Sequence, residues 1–215
     1  MQKRRGTRRR RFPKSLKDIF LTKDQKETTK GEKFLLYQSK NNKLLVFRSA
    51  IGLEILSKSD HWGADGTFYT AAKYFYQLYV VSGYYEKRMI PCVWALMNRR
   101  RKKEYNVVLE SVKKAAKKIK IKLSPKTVMM DFEKAAMNSF EEMFPGIIIK
   151  LCLFHFTQNI FRNLVNYGFK IAYSKEEKIK QWFKSFFVLS LVPLDKVDVL
   201  WEKILKEQPK LPNSF

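Results

Sequence analysis

A change of hydrophobic period near residue 100 constrains the fold more than any other feature of the chain. Before it, three short apolar segments rich in aromatic residues are bounded by polar residues or glycine, which is typical of strands. These segments cover residues 61–70, 77–85 and 89–97. After it, apolar residues recur at helical spacing over 105–119, while lysines occupy the opposite face. The sequence therefore predicts three strands followed by an amphipathic helix.

The remaining segments complete a mixed α/β pattern. A hairpin is predicted at 34–47, where two apolar runs flank the turn-forming residues 40–43, and a short helical link follows at 51–56. The later segments are predicted as a strand at 128–130, a helix at 133–143, a strand at 147–153 and further helices as far as Pro209. Three strands followed by helix, strand, helix and strand predict a mixed sheet, and this is the order of the RNase H-like fold.

The pattern divides the chain into four parts. They are a basic, largely disordered arm (1–32), an N-terminal hairpin and linker (33–57), an RNase H-like core (58–156) and a helical part (157–215). The arm is expected to be disordered because its first 14 residues hold a block of lysine and arginine with no acid to balance it. Such a block serves as a nuclear-import signal or as a phosphate-binding arm, and a solvated tail is the alternative.

The charge balance indicates a polyanionic partner. Lysine and arginine outnumber aspartate and glutamate by 44 to 20, which gives a formal net charge of +24. Nucleic acid is the first candidate, an acidic membrane surface the second, and a nonspecifically adhesive surface the third. The chain holds 2 cysteines, too few for a disulfide framework, and shows neither a secretory signal nor an apolar run of spanning length. We therefore expect an intracellular protein without a membrane partner.

Two aspartates stand where predicted strands end. Asp65 ends the first strand of the core, and Asp131 follows the fourth. In a mixed sheet of this order the first and fourth strands can lie side by side, which would bring the carboxylates together. They would repel each other unless a divalent cation lay between them, and Mg²⁺ or Mn²⁺ accepts such oxygen ligands. The alternative is that each aspartate caps a helix or forms a turn.

Four motifs in order along the chain resemble the transposase domain of Mutator-like elements, within the RNase H-like DDE transposase superfamily. They are Asp65-Gly66-Thr67-Phe68, the strand 90–96, the stretch 130–136 and the Cys-x-x-His motif at 151–155. The spacing of 66 residues between the aspartates (131 − 65) and of 21 from Asp131 to Cys152 (152 − 131) also suits this family. The resemblance extends from Trp62 to Gly168, and the segment 13–56 is similar to one that often precedes the domain in animal members.

The resemblance implies a metal-dependent DNA transposase that cuts a strand with water and then joins the freed 3′-hydroxyl to target DNA. Asp65 and Asp131 would be the first two members of its acidic triad and would hold two Mg²⁺ or Mn²⁺ ions. In the family a glutamate on a late helix completes the triad. Glu202 is the obvious candidate here, but its position on a helix turns it away from the apolar face of that helix. The resemblance thus implies that residues 58–156 are the catalytic core and that 157–215 are the family's helical insertion, which we expect to be truncated, with the third acid beyond this chain.

Cys152 and His155 admit several interpretations. A thiolate and an imidazole three residues apart could be half of a zinc site, but only Cys92 and His61 remain to complete it, so a structural zinc is not expected. His155 could instead donate a hydrogen bond or a proton to a phosphate. The two residues could also be a packed pair at the end of a strand. The resemblance implies a role near the active site.

Two basic segments are predicted to bind DNA, both transposon ends and target, through the phosphate backbone. Their residues are Arg8, Arg9, Arg10, Arg11, Arg99, Arg100, Arg101, Lys102 and Lys103. Lysines on the helix that follows extend the second segment, or are simply a solvated face. We expect a nuclear protein, and a homo-oligomer stays open. The alternative function is a transposase-derived DNA-binding protein that has lost catalysis, and a partner-binding remnant is a further one.

Overall fold

The computed structural model describes residues 13–49 and 51–212, and these described residues divide into two compact units, one ending at Lys150 and the other beginning at Leu151. The strands are β1 (Leu35–Gln38), β2 (Leu44–Arg48), β3 (His61–Thr67), β4 (Gln77–Tyr85), β5 (Arg88–Met97), β6 (Thr127–Met130) and β7 (Ile148–Leu151). The helices are α1 (Lys23–Lys26), α2 (Gly52–Lys58), α3 (Lys102–Lys118), α4 (Lys134–Met143), α5 (Leu153–Asn166), α6 (Lys170–Lys175), α7 (Glu177–Val188) and α8 (Val197–Lys206). Among the described residues, no helix is both long and apolar enough to cross a membrane.

The strands form one mixed sheet in the order β1-β2-β5-β4-β3-β6-β7. The pairs β1–β2, β2–β5, β5–β4 and β4–β3 are antiparallel, while β3 and β6 are parallel. A parallel pair needs a long crossover, and α3 lies within it. The tight β4–β5 hairpin turns at Glu86 and Lys87, whose positive φ angles of 49° and 61° suit a two-residue connection. The predicted mixed α/β class is confirmed.

The core of the first unit lies between the sheet and its helices. Trp62 of β3 meets the rings of Phe140 and Phe144 edge-on, at centroid distances of 6.5 and 5.2 Å. Its indole nitrogen donates a hydrogen bond to the carbonyl of Leu56 at the end of α2 (3.1 Å). All four side chains are buried, so this cluster joins β3 to helices on either side of it in the sequence. It thereby fixes the strand that carries Asp65.

The second unit is helical, and partly exposed aromatic rings link its later helices around a few buried aliphatic residues. Trp182 on α7 lies 5.0 Å from Phe186, whose ring meets Trp201 of α8 at 5.5 Å. The indole of Trp182 also donates to the carbonyl of Ile204 (2.7 Å), which ties α7 to α8. The sequence predicts helices here, and helices are observed. The one shift is that α5 begins at Leu153, within the segment predicted as the end of a strand.

The segment 13–32, placed by the sequence in a disordered arm, has regular structure in part. Residues Leu16–Asp18 form a turn of 3₁₀-helix, and α1 follows. Asn42, buried in the β1–β2 turn, donates through its side-chain amide to the carbonyls of Leu16 (2.8 Å) and Ile19 (3.0 Å). These bonds hold the segment against the hairpin, a long-range contact that local charge cannot reveal. The rest of the predicted arm, residues 1–12, lies outside the described residues.

Candidate active site

The two predicted aspartates lie on neighbouring parallel strands. Asp131 directly follows β6 as predicted, but the prediction that Asp65 ends its strand is wrong, because β3 continues to pair with β4 as far as Thr67. The last pair in the β3–β6 register is Ala64 with Met130, and Asp65 and Asp131 are the next residue on each strand. Asp65 is exposed, and it pairs with Val80 of β4. Because side chains alternate along a strand, Asp65 lies on the opposite face of the sheet from the buried Ala64. The fold thus places two aspartates that are far apart in sequence on neighbouring strands, as the strand order predicts.

Asp131 is also part of a local turn. Its carboxylate Oδ1 accepts a hydrogen bond from the backbone N–H of Glu133 at 3.4 Å, and Glu133 is the N-cap of α4. Asp131 is half-buried. The turn interpretation of this residue is therefore compatible with the site interpretation, since the remaining carboxylate oxygen is not used by the turn.

A buried ion pair supports this turn, and the sequence did not indicate it. The guanidinium of Arg100 donates through Nε to Oε2 of Glu133 at 2.6 Å, and its Nη2 contacts the same oxygen. The Glu133 side chain is only 8% exposed and that of Arg100 is 32% exposed. Burial is the largest single influence and lowers the pKa of Arg100, but the hydrogen bonds to Glu133 and Tyr76 and the charge of Glu133 together raise that pKa overall. Arg100 was predicted to bind phosphate, whereas in the structure it pairs with Glu133, which lies two residues after Asp131 in the sequence.

Further polar side chains in the core of the first unit lie next to the Arg100–Glu133 pair. Gln77 donates from Nε2 to the hydroxyl of Tyr105 at 2.7 Å, and Tyr105 is in turn linked to Glu133. Tyr79 lies edge-on to Tyr105 at 4.9 Å, and its buried hydroxyl has no hydrogen-bond partner among the described residues. Burial raises the pKa of Tyr79 well above its ordinary value, and the charges around it, those of Tyr105, Asp131, Glu133 and Asp65, add to the effect. A neutral phenol therefore lies close to all three carboxylates.

Gly66 follows Asp65 at a position that has no room for a side chain. It pairs with Tyr79 across the β3–β4 ladder, and a Cβ atom there would lie 2.6 Å from Oε1 of Gln77. Gln77 is fully buried and held by Tyr105, so it has little freedom to withdraw. The glycine of the Asp-Gly-Thr-Phe motif thus allows the polar core to approach the strand that carries the aspartate.

The basic segment at the start of α3 is only partly available for a ligand. Arg101 pairs with Glu104 at 3.1 Å, and Lys102 pairs with Glu142 at 2.7 Å. Arg99 and Lys103 are exposed and make no ion pair within residues 13–49 and 51–212. Lysines 113, 114, 117 and 118 are exposed on α3, as the helical pattern predicts. Arg8, Arg9, Arg10 and Arg11 lie outside the described residues.

The predicted Cys-x-x-His motif lies at the start of α5. Cys152 immediately precedes the helix, and His155 is in its first turn, 5.7 Å from the ring of Phe154. Cys92 is buried in β5, and burial raises the pKa of its thiol to about 11. His61 shares a hydrogen bond with the hydroxyl of Thr127 (2.9 Å). Within the described part of the chain, no three histidine, cysteine, aspartate or glutamate residues are grouped to hold a metal.

Glu202, weighed as a third acid, is exposed on α8. Ile204 of the same helix is buried, so the apolar face of α8 is the one turned inward. The sequence prediction that Glu202 points away from that face agrees with this arrangement.

Part of the chain is similar to a known protein family. The family model described as the MULE transposase domain matches residues 61–159. This range begins at the first residue of β3 and includes both aspartates and the Cys-x-x-His motif. No curated protein matches the chain.

Proposed function

Because residues 61–159 match the family model of the MULE transposase domain, we propose that this chain is the core of a DNA transposase that cuts and joins DNA strands with the help of divalent cations. The sheet that carries the site is proposed to be RNase H-like. The strand order β5-β4-β3-β6-β7, with β3 and β6 parallel, supports this assignment. The single observation that carries the proposal is the position of Asp65 and Asp131, one step beyond the last paired residues of β3 and β6.

The donor set at this position suits Mg²⁺ or Mn²⁺. Both candidate ligands are carboxylates, and Mg²⁺ commonly binds through one or two carboxylates together with substrate phosphate and water. We propose that Asp65 and Asp131 hold the ions. When bound, such ions activate the attacking oxygen and neutralise the leaving oxygen in a phosphoryl displacement.

The chain's own residues would orient and position the reacting groups. Asp131 is held by the backbone of Glu133, which Arg100 fixes in turn. In the first reaction a water oxygen bonds to the scissile phosphorus, the bond to the 3′-oxygen breaks, and that oxygen takes up a proton. In the second, the freed 3′-hydroxyl bonds to a phosphorus of target DNA, and a target 3′-oxygen leaves. Each step exchanges one phosphorus–oxygen bond for another and needs no oxidant or reductant.

DNA would be held by the basic surfaces. Arg99 and Lys103 are exposed beside the start of α3, and the lysine face of that helix continues the positive charge. Contacts to phosphates give affinity without sequence information and weaken with salt. We also propose a nuclear location, because the substrate is DNA and the arginine-rich arm resembles an import signal.

The test is strand nicking by the full chain with Mn²⁺ and supercoiled DNA. Asp131→Asn is expected to abolish nicking and to leave DNA binding intact, because it removes a carboxylate charge and keeps the side-chain size. The matched control is Asp60→Asn, just before the other end of β3, where the carboxylate forms an ion pair with Lys126 at 2.6 Å. The control should nick as the unmodified chain does.

Equal nicking by Asp131→Asn and the unmodified chain would refute the assignment of Asp131. If the unmodified chain binds DNA but never nicks it, the result would favour the alternative function, a transposase-derived DNA-binding protein that has lost catalysis.

A further inference from the structure

The loop between β3 and β4 presents aromatic rings to solvent beside the candidate active site. Phe68 follows the last residue of β3, and Tyr76 precedes the first residue of β4. Their rings meet edge-on at 5.4 Å, yet they remain 48% and 54% exposed. Tyr69, next to Phe68, is fully exposed. Neighbouring aromatic rings that are exposed together can mark a ligand-binding surface.

Arg100 turns these rings into a fixed surface. Its guanidinium carbon lies 5.0 Å from the centroid of Phe68 and 5.7 Å from that of Tyr76. These are cation–π distances, and the same guanidinium is anchored by the buried Glu133. The two rings are therefore positioned before any ligand arrives, which lowers the entropy lost on binding.

The residues around Phe68 and Tyr76 favour a ligand that carries negative charge and flat rings. Arg99 and Arg101 line the same open recess as Tyr76, Arg100 and Glu133, which has a volume of about 550 Å³. Exposed aromatic rings combined with arginines are the elements with which proteins bind single-stranded nucleic acid, because every base offers a π face and every link a phosphate. In a duplex the base faces are covered by neighbouring bases, so only an unpaired base can stack on Phe68 or Tyr76.

We propose that Phe68, Tyr76 and Arg100 form a stacking surface for unpaired bases of the DNA strand next to the cleavage position. This inference rests on the proposed function, because it takes Asp65 as a marker of that position. Phe68 follows Asp65 by three residues, a distance of about 10 Å along an extended chain. In B-DNA, with about 3.4 Å per nucleotide of a strand, this corresponds to about three nucleotides. The preferred substrate would be DNA that is frayed or forked within that distance of the cut.

The experiment measures binding of the full chain to fluorescein-labelled DNA by anisotropy, in EDTA so that no strand is cut. Two DNAs of equal length are compared, a complete duplex and the same duplex with three unpaired nucleotides in its middle. The unmodified chain is expected to bind the second about tenfold more tightly, the effect of about one stacked base. The double variant Phe68→Leu/Tyr76→Leu keeps apolar bulk in the loop but removes both rings, and it should lose this preference while retaining its affinity for duplex.

Two controls separate stacking from general damage. Tyr84→Leu alters an exposed tyrosine at the far end of β4 and should keep the full preference. Tyr76→Phe retains the ring and should keep it as well. Circular dichroism melting of each variant shows whether the sheet is intact.

Several outcomes would overturn the proposal. They are equal affinity of the unmodified chain for both DNAs, an unchanged preference in the double variant, an equal loss in Tyr84→Leu, and tighter binding of single-stranded RNA than of unpaired DNA. A chain that never nicks DNA but shows the preference would refute the proposed catalysis and leave the stacking surface standing. A chain that nicks duplex DNA but shows no preference for unpaired nucleotides would support the proposed catalysis and refute the stacking surface.

Discussion

Removing Arg100 should destabilise the first unit far more than removing a neighbouring surface cation. In the variant Arg100→Met the Glu133 carboxylate stays buried but loses the guanidinium that pairs with it. The hydrogen bond between Tyr105 and Glu133 remains. Methionine keeps much of the covering bulk over Phe68 and Tyr76, so the change tests the charge more than the packing.

The magnitude follows from the burial of the two partners. Breaking a fully buried ion pair by removing one partner costs about 3–5 kcal/mol, because the other charge is left without compensation. Glu133 is close to that limit, but the 32% exposure of Arg100 shows that water reaches the pair from one side. The hydroxyl of Tyr105 also continues to compensate the carboxylate. We therefore expect a loss of about 2–3 kcal/mol in the free energy of unfolding.

The assay is urea denaturation followed by far-ultraviolet circular dichroism, with the free energy of unfolding extrapolated to water. A double-mutant cycle with Arg100→Met and Glu133→Met should give a coupling energy of about 2 kcal/mol, because two apolar side chains leave no buried charge. The matched control is the Lys102–Glu142 pair, whose side chains are 48% and 45% exposed. Its coupling should be below about 0.5 kcal/mol, as is usual for surface pairs.

The reasoning fails if Arg100→Met and Lys102→Met lower the stability equally. It also fails if the cycle at Arg100 and Glu133 gives no coupling, because the pair would then contribute no more than a surface contact. A large loss in Arg100→Met with no recovery in the double variant would assign the effect to packing over the aromatic rings.

Two further changes test the polar core and the close approach of backbone segments. Burial raises the pKa of Tyr79 and of Tyr105, so the stability that their neutral phenols provide should be complete below about pH 10 and lost at higher pH. Urea unfolding from pH 8 to pH 11 should show this loss, and Tyr79→Phe should reduce it. If all tyrosines of the folded chain ionise together near pH 10, as followed by absorbance at 295 nm, the prediction is wrong. Gly52→Ala places a Cβ 2.7 Å from a backbone carbonyl of β5 and should cost about 1–3 kcal/mol, whereas Gly63→Ala meets only the terminal methyl of Met89 and should cost less. Equal melting temperatures for these two variants would contradict the difference.

Much of the sheet could be predicted because the relevant signals are local. The turn residues between β1 and β2 and the alternation in β4 and β5 are visible within short windows of sequence. The adjacency of Asp65 and Asp131 is a longer-range prediction, and it succeeded because a mixed sheet of this strand order has few possible arrangements. The sequence therefore indicated where the carboxylates meet.

The surroundings of the carboxylates could not be predicted in the same way. Arg100 stands in a run of basic residues, and such a run is usually a solvated face, so nothing local distinguishes it from Arg99. Its partner Glu133 lies 33 residues away and meets it only once α4 has packed against α3. Likewise, tyrosines in β4 fit a strand whether or not their hydroxyls find partners. The buried hydroxyl of Tyr79 becomes evident only in three dimensions.

The parallel pairing of β3 with β6 also sets the order in which the molecule can be assembled during synthesis. Asp65 leaves the ribosome 66 residues before Asp131, and the hairpins of β1 with β2 and of β4 with β5 can close before β6 exists. Until then β3 is an edge strand, and Trp62 lacks the rings of Phe140 and Phe144 that cover it. The carboxylates come together only when α3 has crossed over and β6 has docked, after the loop-closure entropy has been overcome. A nascent or partly unfolded chain therefore carries Asp65 without its partner, and the pair of carboxylates exists only in molecules whose sheet is complete.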